Sequence, residues 1–379
     1  VPDAFRATVS PETYRQSVAY TLARSRFGQV EEAWGTLVLL GVLGSGILPA
    51  LLGWFDARGT GPVWRAAWLF TVGVLLTLPG LPLEWWAQFR LEQRFGFNTT
   101  TPRTWITDRL KGLVLGALLG GPLLALILQL VHWTGPAWWV WAWAVFVGFQ
   151  LVLMIVAPMW ILPLFNQLTP LPEGPLRQRL LRLGERTGFT AANLLVMDGS
   201  KRSRHSNAFF TGFGRFRKIV LFDTLVSQLG EEELEAVLAH EIGHYRRGHV
   251  PKLLLLATIE FFLGFAAIGW LARQGWFLPS FGFPAQAGVA PVLLLAALLG
   301  GTITFWVQPL MNRLSRRHEY QADAYAAEAV GGAAPLVGAL RKLSEKNLSN
   351  LTPHPAYSGF HYSHPTLLER EAALSRLPA

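Results

Sequence analysis

Between Lys111 and Glu173 the chain runs for 61 residues, 112–172, without one formally charged side chain. A water-soluble fold has no room for such a run, because about a quarter of an ordinary globular chain is charged. About 20 apolar residues in helical form cross the hydrocarbon core of a bilayer. The run is therefore too long for one crossing and long enough for two, with a turn at Thr134-Gly135-Pro136. Segment 33–55 is uncharged for 23 residues, and 66–83 is uncharged for 18 before Glu84-Trp85-Trp86. Segment 253–271 is apolar except for Glu260, and 274–312 is uncharged for 39 residues around an apolar core at 289–309. The pattern predicts a mainly α, polytopic membrane protein with six spans, near 33–55, 66–86, 112–133, 138–162, 253–271 and 289–309. Overall the 379 residues are 51% hydrophobic and only 15% charged, which excludes disordered and coiled-coil classes. With no Cys, disulfides, thiolate catalysis and Cys-based zinc sites are excluded as well.

The net charge of +9 invites a nucleic-acid reading, but its distribution opposes it. Assigning the segments between spans to alternate sides puts 30 Lys and Arg on one side and 3 on the other. By the positive-inside rule the N-terminus, segment 166–252 and the C-terminal tail lie in the cytoplasm. The charge is a topology signal, and no nucleic-acid partner is expected. The chain starts at Val1, not Met, so an earlier segment is expected to have been removed or omitted. Arg outnumbers Lys 27 to 6, a composition that points toward a bacterial source and its inner membrane.

Four parts follow from this division. Residues 1–165 hold an N-terminal amphipathic segment and four spans, 166–252 a soluble domain, 253–311 two spans, and 312–379 a helical tail. Within the soluble domain, 176–186 reads as an amphipathic helix. Short β-rich runs at 193–197, 208–213 and 218–222 are bounded by Gly, Asp and Ser. Segment 231–245 reads as a helix, with three Glu in its first turn at the positive end of the helix dipole.

That helix carries His240-Glu241-Ile242-Gly243-His244. Residues i and i+4 share a helix face, so two imidazoles can grip one Zn²⁺ while Glu241 takes a proton from water. Catalytic zinc has three protein ligands, so one is missing. His249 is a poor choice, since on a continuing helix it would sit about 140° round from His244. Glu319 is the better candidate. It shares a helix face with Asp323, which could receive the spare ring N–H of a ligating His. The competing reading of Glu319 and Asp323 is a solvated acidic face.

An ordered set of further pieces gives the chain a recognisable signature. These are Arg24-Ser25-Arg26-Phe27-Gly28, Arg94-Phe95-Gly96-Phe97-Asn98, Pro163-Leu164-Phe165-Asn166, Asp198-Gly199-Ser200-Lys201-Arg202-Ser203 and His205-Ser206-Asn207-Ala208-Phe209-Phe210-Thr211-Gly212. Ser315-Arg316 with Glu319 and Ala322-Asp323, and then Ser363-His364-Pro365 with Arg370, complete it. Over most of its length the sequence resembles the type I CAAX prenyl proteases, integral-membrane zinc metalloproteases.

The resemblance implies a bundle of transmembrane helices around an intramembrane chamber, capped by a cytoplasmic zinc metalloprotease domain with a small β-sheet. It implies one Zn²⁺ on His240, His244 and Glu319, Glu241 as general base, and an edge strand at Asn207 and Ala208 that meets substrate backbone. It also places His364 and Arg370 near the metal as oxyanion supports. The plainer alternatives are a turn residue for Asn207, a helix cap for His364 and a solvated charge for Arg370. Family members show seven spans, so the seventh is expected before Val1. Glu260 is compatible with the chamber, the alternative being an interfacial or snorkelling Glu. The expected partners are the lipid bilayer and a peptide or protein substrate, with or without a prenyl group. The competing functions are a membrane quality-control protease of the HtpX type and a non-catalytic membrane scaffold.

Overall fold

The computed structural model describes residues 1, 5, 6, 9–189, 193–211 and 218–377. Most of these are helical, as the charge-free runs require. Pro62–Glu92, Pro102–Phe165, His249–Leu271 and Val289–Val330 are each long and apolar enough to cross a membrane. The 64-residue stretch Pro102–Phe165 would reach about 96 Å if straight, three times the hydrocarbon thickness. It folds back instead. Gly135 adopts a φ of 53°, and Gly121–Thr134 and Trp138–Val156 pack side by side.

Two expectations change in detail. Segment 33–55 is not one straight helix. Pro11–Gly44 ends at Ser45-Gly46, and Ile47–Asp56 leaves at 55° to it. Gly46 takes a left-handed φ of 73°, which a side chain would resist, and that fixes the bend. The division at 311/312 also disappears, because Val289–Val330 is a single 42-residue helix running from the apolar segment into the soluble part.

The soluble part holds a four-stranded sheet of β1 (Leu168–Pro170), β2 (Asn193–Met197), β3 (Ala208–Thr211) and β4 (Lys218–Phe222). The strand order is β1-β2-β4-β3, with β2 and β4 parallel and both outer pairs antiparallel, so β3 is an edge. The end of the β-rich run expected to reach Phe213 lies outside the described residues, as does Gly212 of the signature. β1 was not foreseen. It is three residues long and ends in Pro170, which only an edge tolerates.

Helix Pro175–Arg186, the sheet, the motif helix Glu231–Arg246 and the soluble half of Val289–Val330 share one core, including Leu180, Ile219, Leu238, Ile242 and Ala326. Buried Glu235 joins Arg179 and Arg186, fastening Pro175–Arg186 to the motif helix. Arg202 links the two halves of the molecule. Its Nε and Nη2 donate to Asp108 at 2.8 and 3.0 Å, and its Nη1 donates to Asn166 Oδ1 at 2.8 Å.

A close backbone approach in this core joins the motif helix to Val289–Val330 at Gly243. A Cβ there would lie 3.0 Å from the Ala322 Cα and 3.1 Å from its carbonyl oxygen. Backbone cannot swing aside as a side chain can, so even a methyl group crowds Ala322 and a larger side chain pushes the helices apart. Gly243→Val should cost about 1–3 kcal/mol through overpacking. A melting temperature unchanged from wild type in the same detergent would contradict this.

Candidate metal centre

Sequence places His240 and His244 one turn apart, and the Gly243–Ala322 contact delivers the third group. The two Nε2 atoms lie 3.1 Å apart. Glu319 Oε1 is 3.3 Å from His244 Nε2, and Glu319 Oε2 is 3.5 Å from His240 Nε2. Among the described residues these three form the His/Asp/Glu group able to hold a metal ion. Tetrahedral zinc with bonds of 2.0–2.1 Å would set its ligand atoms about 3.3 Å apart. The spacing therefore fits the ion. Glu319 Oε2 is buried without a hydrogen-bond partner among the described residues, a costly state that a cation relieves.

The surrounding layer aims both rings. Asp323 accepts from His240 Nδ1 at 2.8 Å, which puts that ring's proton on Nδ1 and leaves the Nε2 lone pair for a metal. Arg370 holds Asp323 in turn, its Nε donating to Oδ2 at 2.8 Å and its Nη2 to Oδ1. Arg370 sits on helix Leu367–Leu374, begun by a capping box between Thr366 and Glu369. It is a largely shielded ion-pair partner, not a solvated charge. Its Nη1 points to Glu319 Oε2 at 3.7 Å. The cap of that helix is Thr366, so His364 has no capping duty. Its exposed ring puts Nε2 3.5 Å from Glu319 Oε1.

His249 corrects an expectation. The helix does not continue past the motif. It stops at Arg247, Gly248 takes a left-handed φ of 66°, and a new helix starts at His249. His249 is consequently buried against the site, its Nδ1 3.0 Å from His244 Nδ1. It still is not a ligand, but it orients one. His249 Nε2 donates to Gln321 Oε1 at 2.9 Å, since the amide oxygen only accepts. The neutral ring then presents a lone pair at Nδ1, His244 donates its Nδ1–H to it, and His244 Nε2 is left free for metal. His318 stacks on His249 at 4.0 Å and holds it flat. The sequence signal for this role was Gly248, a helix stop followed at once by His.

Glu241 stands beside the trio, and among the described residues it has no ion-pair or hydrogen-bond partner. Burial raises its carboxyl above the ordinary range, opposed by the nearby His240 and His244. For His240, burial disfavours the cation, but the facing carboxylates of Asp323 and Glu319 outweigh it and push the imidazole up to about 9. Asn207 and Ala208 lie at the sheet edge, where the Asn207 side chain accepts from the Ala208 amide at 2.9 Å. β3 lies against the motif helix. Glu260 is exposed midway along His249–Leu271 and unpaired among the described residues.

Two family models match. Residues 1–167 match the CAAX prenyl protease N-terminal region, described as five membrane helices, and residues 170–377 match peptidase family M48. CAAX prenyl protease 1 of Saccharomyces cerevisiae is 35% identical over 99% of this chain and 88% of its own length. The human homologue is 31% identical over 100% of this chain and 89% of its own. A crystal structure of S. mikatae Ste24p superposes with a TM-score of 0.91 at 34% identity, covering 99% of this chain and 91% of that one.

Two measurements test the geometry. His249→Phe keeps a flat ring but removes both nitrogens, and should weaken metal binding about 10- to 100-fold with the fold intact. Unchanged affinity would remove His249 from the site. Below about pH 9 metal must displace the His240 proton, so affinity should rise with pH and level off near 9. A plateau already reached at pH 6.5 would contradict the protonated imidazole.

Proposed function

The chain belongs to peptidase family M48 as an integral-membrane metalloprotease of the CAAX prenyl protease group, and from that membership we propose a zinc endopeptidase that trims membrane-tethered peptides. The observation that carries this is the convergence of two imidazole nitrogens and one carboxylate beside a half-buried Glu241 that has no hydrogen-bond partner among the described residues. The proposed substrate is a C-terminal peptide bearing a prenyl group, with misfolded membrane proteins as a second source in a bacterial inner membrane. The excess of Lys and Arg on one side supports a site facing the cytoplasm and six crossings, two of them from the folded-back 102–165 stretch. The match of 1–167 to the CAAX-type membrane region favours this group over the shorter quality-control type. Intact ligand and base positions argue against a scaffold.

Zinc on His240, His244 and Glu319 would supply Lewis acidity to the scissile carbonyl and acidify water. The chain's own groups do the rest. An extended substrate pairs with the β3 edge, unpaired among the described residues, at Asn207 and Ala208 as an added strand. A Glu241 carboxylate oxygen takes one proton from the attacking water as the carbon–oxygen bond forms. It returns that proton to the amine nitrogen as the carbon–nitrogen bond breaks. His364 Nε2 and Arg370 Nη1 donate to the carbonyl oxygen as it gains negative charge. Asp323 keeps Arg370 and His240 in register throughout.

Glu241→Gln should retain one zinc per chain by elemental analysis and lose at least about 100-fold in cleavage of a farnesylated reporter peptide. Near wild-type turnover, with contaminating protease excluded, would overturn Glu241 as the base. Equal rates on the farnesylated and lipid-free peptides would overturn the prenyl requirement.

A further inference from the structure

On the far side of Val289–Val330 from the metal trio lies a second feature that proteolysis does not use. A cavity of about 520 Å³ is lined by Arg247, Lys252, Arg317, Tyr320, Gln321 and Ala324. At 100° per residue, 317, 320, 321 and 324 cluster about 150° round the helix from Glu319. None of His240, Glu241, His244 or Glu319 lines the cavity, so it is separate from the catalytic cleft.

Three of its six lining residues are cations, and among the described residues none of the three has a carboxylate partner. That sets them apart from the other buttressing arginines of the soluble part. Arg179, Arg186, Arg202 and Arg341 are each paired with Glu or Asp. Lys252 is exposed at the rim beside Arg247, its Nζ donating to the Arg247 carbonyl at 2.9 Å and keeping two further N–H groups to offer.

The cavity's height along the molecule decides its occupant. Lys252 is in the first turn of the apolar helix His249–Leu271, where that helix leaves the soluble domain. Arg317 is eight residues, about 12 Å, beyond Pro309, where the apolar part of Val289–Val330 ends. Side chains lean toward the N-terminus of their helix. Arg317 therefore leans toward the bilayer and Lys252 away from it, and the two meet at headgroup depth. Basic pockets between membrane helices at that depth take anionic headgroups.

We propose that Arg247, Lys252 and Arg317 form a binding site for the phosphate of an anionic phospholipid headgroup in the leaflet beside the metal centre. The guanidinium groups receive phosphate oxygens in a planar fork, and the ammonium adds a point charge. The acyl chains then lie along the lipid-facing surface of His249–Leu271, where Leu255, Ile259 and Leu263 are exposed. The site rests on the membrane placement above but not on the protease reading.

The test is native mass spectrometry of the full-length protein in detergent, titrated with phosphatidylglycerol or phosphatidylcholine. Wild type should retain phosphatidylglycerol in preference. The triple variant Arg247→Gln, Lys252→Gln, Arg317→Gln should lose at least about tenfold in affinity for it, with phosphatidylcholine unaffected. Arg247→Lys with Arg317→Lys keeps the charge and should hold most of the preference, which keeps the test decisive even if the neutral triple variant does not fold. Equal retention of both lipids by wild type, or an unchanged preference in the folded triple variant, would overturn the site. Displacement of phosphatidylglycerol by equimolar inorganic phosphate would reassign the site to a soluble anion and overturn the lipid assignment. Cleavage of the reporter peptide, measured in parallel, separates failure here from failure of the protease reading.

Discussion

Two helices approach until the backbone of one touches the backbone of the other, and everything chemical follows from that contact. Gly243 lies inside the metal-binding motif, at the position where a side chain would hold Ala322 away. Its missing Cβ lets Glu319, one turn before Asp323, reach both imidazoles. The same approach sets Asp323 against His240, so a ligand and its orienting partner are placed by one packing event. The neighbouring core, with Ile242, Leu238 and Ala326 buried around the contact, keeps the approach from relaxing.

The two imidazoles are oriented by unlike means. His240 is governed by charge, through Asp323 and the arginine that grips it. His244 is governed by a neutral chain through His249 to Gln321. Both arrangements turn Nε2 toward the metal position. A carboxylate on each ring would have added negative charge around an already acidic ligand set, and the neutral chain avoids that. Gln321 also lines the basic cavity, so the back of the metal centre and the headgroup-level pocket share one side chain.

Much of this was readable before any coordinates, and for definable reasons. Apolar runs between charges announce membrane helices because the cost of burying charge in hydrocarbon is large and local in sequence. The i, i+4 spacing of His240 with His244, and of Glu319 with Asp323, announces shared helix faces because helical period is local too. What sequence concealed was long-range or conformational. No local pattern says that Gly243 meets Ala322, or that the helix through Pro309 continues unbroken to Val330. The bend at Gly46 and the break at Gly248 both turn on positive φ, and extrapolating a straight helix misread each of them. For His249 that extrapolation pointed the ring away from a site it in fact adjoins.

The order in which the chain is made has a bearing on safety inside the cell. Glu319 follows His244 by 75 residues, and two membrane helices, His249–Leu271 and Val289–Val330, must be threaded before it takes its place. Arg370 comes later still, 51 residues after Glu319. While the ribosome is at work, the emerging polypeptide displays a pair of imidazoles on a helix whose neighbour has yet to be synthesised. Hydrolytic power arises only once Glu319 and Arg370 have both been made and the helix that carries Glu319 is seated in lipid. The linear order of the chain itself thus supplies a delay.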